Sequence, residues 1–196
     1  TKWFGEPIIN LPQDMFAIQE IIFDTKPDFI IEVGVAWGGS LLFYSSIMES
    51  IGGKAIIGID IFIPDDLKKR IYSIKKLSKR INLINGSSTD SKIINKIKKI
   101  VGKSKKVLVI LDSDHTHEHV LKELNIYEKF VGKNHYLICA DTLVEKIPTQ
   151  KHRPRSWQKG NNPMSALREF MKTNKRFKSD KSIENKLGRK KAKKNA

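Results

Sequence analysis

The chain has 196 residues, 39% of them hydrophobic, and its 37 Lys and Arg against 21 Asp and Glu give a net charge of +16. This length and composition are typical of one ordinary domain with a buried core. A single cysteine, Cys139, excludes a disulfide framework, and no apolar run approaches the ~20 residues that span a bilayer. With no visible signal peptide, these features predict a cytoplasmic protein.

The positive charge is concentrated at the C-terminal end of the chain. Residues 172–196 hold 11 Lys and Arg against 2 acidic residues, so they carry +9 of the total of +16. We therefore predict a single domain over residues 1–171, followed by a basic extension that is partly disordered. A charge of this size is compatible with nucleic-acid binding, but its location in the tail argues against nucleic acid as a partner of the domain.

Apolar, strand-like runs alternate with helix-like segments through most of the chain. Strands are predicted over residues 28–34, 55–61, 81–87, 106–112 and 135–141. Helices are predicted over residues 12–23, 39–52, 65–79, 91–101 and 117–131, and a last helix begins at Asn162 and Pro163 after a long loop. Continuous Val, Ile and Leu runs separated by helices favour an α/β fold with a doubly wound, mostly parallel sheet covered on both faces.

An acidic or small polar residue stands at the end of every predicted strand. In chain order these ends read Glu32 with a glycine turn, Asp60, NGSSTD at 85–90, LDSDH at 111–115 and CADT at 139–142. Ligands of doubly wound sheets bind outside the carboxyl ends of the strands. The set of ends therefore predicts one shared ligand site at this edge of the sheet.

The first strand leads into the glycine turn, IEVGVAWGGSL, which contains Gly34, Gly38 and Gly39. Glycines tolerate unusual backbone angles and let a ligand approach the backbone. The spacing is not that of a dinucleotide turn, and Glu32 beside it would repel a pyrophosphate but suits a cationic group, such as the amino acid end of S-adenosylmethionine. Asp60, 28 residues after Glu32, is suited to bind both ribose hydroxyls; the alternative is a turn-forming acid.

The glycine turn resembles that of the catechol and caffeoyl-CoA O-methyltransferases. A wider set of segments resembles the family of cephalosporin hydroxylase and the rhamnosyl O-methyltransferases: KPDFIIEVGVAWGGS, IGIDI, GSSTD, VLVILDSDHTHEHVLKEL, YLICADT and GNNPMSALREFM. The resemblance covers residues 1–171. It implies the Rossmann-like fold of class I methyltransferases, S-adenosylmethionine as cofactor, and a sugar or natural-product hydroxyl as the methyl acceptor.

The resemblance also implies roles for individual residues. The implied cofactor-binding residues are Glu32, Gly34, Gly38, Ser40, Asp60, Ser88 and Thr89, of which Ser88 and Thr89 would lie beside the adenine. Asp112 and Asp141 match two metal ligands of the catechol-type enzymes, and Thr142 stands in place of their third ligand, an Asn. Ala140 occupies a position where the cephalosporin hydroxylase-like family often has Glu, whereas Ala-Asp is the catechol-type pattern.

The chemistry of these residue types agrees with hydroxyl methylation. Mg²⁺ takes oxygen ligands and acidifies a bound hydroxyl, and Asp112 and Asp141 at adjacent strand ends are suited to hold one ion. Asp114 is a further candidate ligand or an outer partner of the ion. His115, three residues after Asp112, is a candidate general base, since an imidazole accepts protons near neutrality. The alternative for His115 is a helix-capping histidine or one that only supports a metal ligand from outside.

Several alternatives remain open from the sequence. His115 and His119, four residues apart, suggest a zinc pair, although a clear third ligand is missing. An iron hydroxylase needs two histidines and a carboxylate, which HTHEH does not convincingly supply. The basic charge allows an RNA methyltransferase, and Ala140 allows a member that binds the cofactor without catalysis. A homo-oligomer is also compatible with the sequence.

The three tryptophans are candidate pocket residues. Trp37 lies inside the glycine turn, where it lines a cofactor pocket or packs in the core. Trp3 and Trp157 lie in the N-terminal segment and the long loop, where each shapes an acceptor pocket or packs.

Overall fold

The computed structural model describes residues 1–148, 152 and 154–186, and it begins with a hairpin that the sequence analysis missed. Strands β1 (Lys2–Trp3) and β2 (Glu6–Pro7) pair in antiparallel fashion. Phe4 and Gly5 between them have φ angles of 47° and 88°. A two-residue hairpin turn requires such left-handed angles, so Gly5 was the available signal.

A parallel sheet forms the centre of the molecule, as predicted. Its strands are β3 (Phe29–Val33), β4 (Ala55–Asp60), β5 (Ile81–Asn85), β6 (Val107–Leu111) and β7 (Leu137–Cys139). Their order across the sheet is β5-β4-β3-β6-β7, and every neighbouring pair is parallel. The doubly wound, Rossmann-like fold is therefore confirmed.

Helices cover both faces of the sheet. They are α1 (Pro12–Thr25), α2 (Gly39–Ile51), α3 (Asp65–Ser73), α4 (Lys75–Ser78), α5 (Ser91–Val101), α6 (His117–Tyr127), α7 (Pro163–Thr173) and α8 (Lys181–Lys186). The first four pack on one face, and α5 to α7 pack on the other. None of the helices in the described ranges has the length and apolarity that crossing a bilayer requires.

Successive residues of the central strands serve opposite cores, which explains why these strands are apolar throughout. In β3, Ile30 packs in the core under α1 and α2, whereas Ile31 packs in the core under α5 and α6. Both side chains are 0% exposed. Burying one such side chain fully stabilises the fold by ~2 kcal/mol.

Two predicted segments differ from the structure. The helix predicted over 65–79 is split, because Ile74 leaves the helical conformation with ψ of 72° and the chain turns to bury Leu77 against α2. The loop predicted over 142–163 includes a 3-10 helix, Thr142–Lys146.

The C-terminal segment just beyond residue 171 packs on the domain. Phe177 packs against Phe170 of α7, and the Tyr136 hydroxyl donates a hydrogen bond to Asp180 at 2.5 Å. The division of the chain at residue 171 stays a prediction. Residues 187–196, the most basic part of the predicted disordered extension, lie outside the described residues.

The order of the strands fixes where a ligand fits. From β3 the chain first extends the sheet through β4 and β5, then returns to the other side of β3 with β6 and β7. The connections that follow β3 and β6 therefore run in opposite directions and leave a crevice at their carboxyl ends. Glu32 and Asp112 flank this crevice.

Candidate functional site

The glycine turn (residues 34–39) is shaped by the backbone of its neighbours. Gly34 has φ of 97°, and a Cβ there would lie 2.0 Å from the carbonyl oxygen of Asp112. A Cβ on Gly39 would lie 2.4 Å from the carbonyl oxygen of Pro7 in the N-terminal hairpin. Glycine is therefore required at both positions, because the backbone of another segment occupies the space that a side chain would need. The sequence analysis had explained them by unusual backbone angles, which Gly34 and Gly38 adopt, and by the approach of a ligand, but not by contact with other parts of the chain.

Glu32 lies in β3 just before the turn, with only 2% of its surface exposed. Its two carboxylate oxygens accept hydrogen bonds from the Ser40 hydroxyl at 2.9 Å and the Tyr44 hydroxyl at 3.0 Å. Burial, together with the charges of Asp112 and Asp60, raises the pKa of Glu32 to about 8, although the hydrogen bonds from the two hydroxyls lower it. Glu32 is therefore mostly protonated at neutral pH until a positive charge comes near.

Asp60 ends β4 and binds the backbone of the glycine turn. One carboxylate oxygen accepts hydrogen bonds from the amides of Val35 and Ala36, at 2.9 and 3.1 Å. The other accepts from the amide of Phe62 at 3.1 Å. Asp60 is thus a turn-holding acid, as the alternative interpretation stated. A carboxylate offers about four acceptor sites, so capacity for a ligand hydroxyl remains.

Asp112, His115 and Asp141 come together at the ends of β6 and β7 and form an acidic cluster. One ligand-type atom from each of the three lies within 4.8 Å of the other two. The Nε2 of His115 donates a hydrogen bond to Asp141 at 2.9 Å. Burial raises the pKa of Asp112, and the charge of Asp141 raises it further. The cluster therefore holds more negative charge than one imidazole balances.

The pKa of His115 is set by burial and by the acids around it. Burial alone lowers its pKa, but the hydrogen bond and charge of Asp141 outweigh burial, with Asp112 contributing, so the pKa is raised. The indole of Trp157 meets the imidazole edge-on, with ring centroids 4.9 Å apart. Arg155 lies 5.2 Å from the centre of that indole. The long loop thus reaches the acidic cluster through Trp157.

Asp114 does not join the acidic cluster. Its Oδ1 accepts a hydrogen bond from the backbone amide of Thr116 at 2.7 Å, at the start of α6. This hydrogen bond forms a local turn just before α6, whose N-cap residue is Thr116, and the metal-ligand role of Asp114 stays a prediction. Thr142 directly follows Asp141 and begins the 3-10 helix, and its ligand role stays a prediction.

The N-terminal segment adds two polar residues that the sequence analysis missed. The side-chain amide of Asn10 donates to Asp112 at 3.3 Å. Asp14, in the first turn of α1, has a raised pKa because of burial and the nearby charge of Asp141. An acid at a helix start is ordinary in sequence, so neither residue gave a signal that set it apart.

The zinc pair is not formed. His115 precedes α6 and faces Asp141, whereas His119 lies within the helix, and its Nε2 contacts Glu123 at 3.0 Å. The two imidazoles therefore face different partners. His117 contacts the start of α7, with its Nδ1 2.8 Å from the Ser165 hydroxyl.

Ser88 and Thr89, predicted beside the adenine, lie in the loop after β5. Ser88 is 6% exposed, and its hydroxyl donates to Glu123 at 2.6 Å, away from solvent. The Thr89 hydroxyl lies 3.2 Å from that of Ser87. An adenine contact of this loop therefore involves its backbone or Thr89 more readily than the Ser88 side chain.

The tryptophans separate into different environments. Trp37 is 54% exposed, which excludes the core role. Trp3 packs edge-on against Phe43 of α2, with centroids 5.1 Å apart, so it packs on the domain.

Cys139 is a free thiol, and burial raises its pKa to about 12.

Curated proteins are similar to this chain in sequence. A rhamnosyl O-methyltransferase of Mycobacterium bovis (strain BCG / Pasteur 1173P2) is 28% identical over 149 residues, 76% of this chain and 59% of that protein. A rhamnosyl O-methyltransferase of Mycobacterium leprae (strain TN) is 30% identical over 151 residues, 76% of this chain and 63% of that protein. The chain spans about three-fifths of the curated relatives it matches.

The fold has a solved counterpart. A CmcI structure whose description names SAH superposes with a TM-score of 0.52 at 16% identity, over 76% of this chain and 70% of that chain. This likeness bears on the fold alone. The family model for rhamnosyl O-methyltransferase/CmcI matches residues 1–195, and the family resemblance read from the sequence is confirmed: the chain belongs to the rhamnosyl O-methyltransferase/CmcI family.

Proposed function

We propose that the protein is an S-adenosylmethionine-dependent O-methyltransferase that methylates a sugar hydroxyl with the help of Mg²⁺. The observation that carries this proposal is the adjacency of the glycine turn and the acidic cluster. The Asp112 amide donates to the Val33 carbonyl at 2.8 Å, and the Asp112 carbonyl fills the space a Gly34 side chain would need. A methyl donor bound at the turn therefore lies beside a hydroxyl bound at the cluster.

Glu32 and Asp60 are proposed to bind the cofactor. Glu32 is buried beside the turn, and a cationic amino acid end would favour its ionised form and stabilise the complex. Asp60 already fixes the turn through Val35 and Ala36, and its remaining acceptor capacity suits the ribose hydroxyls. In this assignment Ser40 orients Glu32 through its hydrogen bond, and Gly38 lets the turn close.

The acidic cluster fits a hard cation. Carboxylate oxygens are the ligands that Mg²⁺ prefers, and the mutual repulsion of Asp112 and Asp141 is the feature a cation would relieve. Asp112 and Asp141 would hold the ion, and Thr142 is the candidate third protein ligand. When bound, such an ion supplies acidification of a hydroxyl that coordinates it.

His115 is proposed as the general base. The hydroxyl oxygen attacks the methyl carbon, the bond from sulfur to that carbon breaks, and the hydroxyl proton passes to the imidazole. Asp141 orients the ring through its hydrogen bond, and Trp157 packs against the edge of the ring. Positioning donor and acceptor at attack distance supplies the rest of the acceleration.

The sugar acceptor is proposed from the relatives, which are named rhamnosyl O-methyltransferases. Trp157 supports this assignment, because a half-buried indole beside the proposed base suits contact with the apolar face of a sugar ring. The identity of the sugar is not part of the proposal.

The test is calorimetric titration of S-adenosylhomocysteine, with and without Mg²⁺, into wild type and Asp60→Ala. Loss of the charged hydrogen-bond acceptor should weaken binding by about 10-fold to 100-fold. Asp65→Ala is the matched control, since Asp65 is an exposed acid in the first turn of α3 and pairs with Lys68. Absence of binding to wild type under both conditions would overturn the proposed function.

A further inference from the structure

A buried carboxylate lies beneath the candidate site, between the loops that follow β5 and β6. Glu123 of α6 is 0% exposed. Its Oε1 accepts hydrogen bonds from the Ser88 hydroxyl at 2.6 Å and from the Ser113 hydroxyl at 2.7 Å, and it also lies 3.0 Å from the Nε2 of His119 one turn earlier in α6. One carboxylate oxygen therefore joins two loops that are far apart in sequence.

The two serines connect Glu123 to both halves of the site. Ser113 immediately follows Asp112 of the acidic cluster, so its hydrogen bond restrains the end of β6. Ser88 lies in the loop that is proposed to face the cofactor, and its carbonyl oxygen also accepts from the Tyr127 hydroxyl at 2.9 Å. Two residues of α6, Glu123 and Tyr127, thus hold the cofactor loop from below.

Stability alone does not explain this arrangement. The second oxygen of Glu123, Oε2, is buried and has no hydrogen-bond partner among the described residues. An unsatisfied buried acceptor is unfavourable, and apolar residues of similar shape often replace such groups without loss of stability. Glu123 also falls on the buried stripe of α6 with Val120, Leu124 and Tyr127, where an apolar residue would pack readily.

We propose that Glu123 is a positioning residue that fixes the cofactor loop and the acidic cluster relative to each other. The proposal rests on the proposed function, because that function assigns the two ligands. Removing the Ser113 bond should loosen Asp112, and removing the Ser88 bond should loosen the cofactor loop. Removing Glu123 should loosen both.

The experiment measures two ligands separately, on the full chain. Mn²⁺ alone, as a stand-in for Mg²⁺, is titrated by electron paramagnetic resonance, and S-adenosylhomocysteine alone is titrated by calorimetry. Ser113→Ala should weaken Mn²⁺ binding by up to about 10-fold, the lower end of the effect of direct outer partners, because Ser113 restrains Asp112 only through the backbone. It should leave S-adenosylhomocysteine binding within about twofold, since Ser113 lies on the cluster side of the site.

The other variants complete the comparison. Ser88→Ala should weaken S-adenosylhomocysteine binding about fivefold, as expected for one lost hydrogen bond, and spare Mn²⁺. Glu123→Ala should weaken both ligands, whereas Glu123→Gln keeps an acceptor oxygen and should retain most of both affinities. Ser104→Ala is the control, because its hydroxyl also donates to a carboxylate, Asp28 at 2.9 Å, at the opposite end of the sheet.

The proposal is overturned if the serine variants melt at lower temperature but bind both ligands like Ser104→Ala, because Glu123 would then be merely structural. It is also overturned if each serine variant weakens both ligands equally. Failure of the proposed function looks different, since wild type itself would then bind no S-adenosylhomocysteine. The Mn²⁺ titrations would in that case still decide whether Ser113 and Glu123 hold Asp112. Absence of Mn²⁺ binding to wild type overturns the proposal.

Discussion

The glycine turn and the acidic cluster share one edge of the sheet but differ in how their polar groups are satisfied. At the turn, both oxygens of Glu32 and both oxygens of Asp60 accept hydrogen bonds from the protein. In the cluster, Asp112 and Asp141 lie beside one imidazole and the Asn10 amide, and burial together with the charge of Asp141 raises the pKa of Asp112. The turn is completed by the chain, whereas the cluster is suited to be completed by a cation.

Changing Gly34 should produce the largest effect on stability, because the backbone of Asp112 occupies the space that a side chain at Gly34 would need. Gly34→Ala would place a Cβ 2.0 Å from a backbone oxygen at φ of 97°. We expect a loss of about 4 kcal/mol or more in the free energy of unfolding, measured by urea titration.

Gly52→Ala is the matched control for Gly34→Ala. Gly52 also has a positive φ, 77°, but no atom outside its immediate neighbours lies within 4 Å of a Cβ there. We expect it to cost only the left-handed backbone strain, about 1 kcal/mol. Equal losses in the two variants would mean that backbone strain, and not the contact with Asp112, requires the glycine.

Neutralising the cluster should affect cation binding next most strongly. Asp112→Asn removes a proposed ligand charge and should weaken Mn²⁺ binding by at least about 10-fold, the lower end of what outer partners alone contribute. Asp114→Asn is the control, since Asp114 accepts from the Thr116 amide and an Asn oxygen can do the same. If Asp114→Asn weakened Mn²⁺ binding as much as Asp112→Asn, Asp114 would have to be counted as part of the cluster.

The buried Glu32 should make the free energy of unfolding depend on pH. Its pKa is about 8 in the folded protein and 4.5 as an ordinary Glu. The folded state therefore keeps a proton that the unfolded chain has lost, and the free energy of unfolding should fall as pH rises between these values. Glu32→Gln should remove this contribution, which is at most one proton or ~1.4 kcal/mol per pH unit.

The measurement for Glu32 is urea unfolding of both proteins at a series of pH values that extends from below 4.5 to above 8. The difference in stability between wild type and Glu32→Gln should change with pH and level off above the upper value. A difference that stays constant would show that Glu32 is ionised in the folded protein throughout this range.

The smallest effect is expected on cofactor affinity when the C-terminal basic tail is shortened. Deleting residues 187–196 removes much of the basic tail, and S-adenosylhomocysteine affinity should stay within about twofold of wild type, because the sequence predicts a solvated basic end there. Calorimetry on the truncated chain checks this. A large loss would mean that the tail takes part in cofactor binding, and it would reopen the question of what its charge contacts.

Most of the fold could be predicted because its signals are local. The apolar runs of β3 to β6 and the helices between them follow from hydrophobic periodicity, and the Asn162 cap of α7 forms with Ser165 as a capping box. The N-terminal hairpin escaped prediction because its strands have two residues each, too few for an alternating pattern.

The candidate site was predictable only in part. Strand ends placed Glu32, Asp60, Asp112 and Asp141 at one edge, since all parallel strands end there. The roles of Asp114 and Ser88 could not be read from position, because a side chain one residue further along points to a different neighbour. Asn10 and Asp14 reach the cluster only through the packing of α1 on the sheet.

By itself, the sequence determined the parallel sheet, its two helical layers and the edge that carries the site, because periodicity and strand ends are properties of neighbouring residues. Only the tertiary structure decided which side chains meet. It brought His115 to Asp141 and Ser88 to Glu123, pairs separated by 26 and 35 positions in the chain. Such pairings depend on how whole elements pack, which no local pattern encodes.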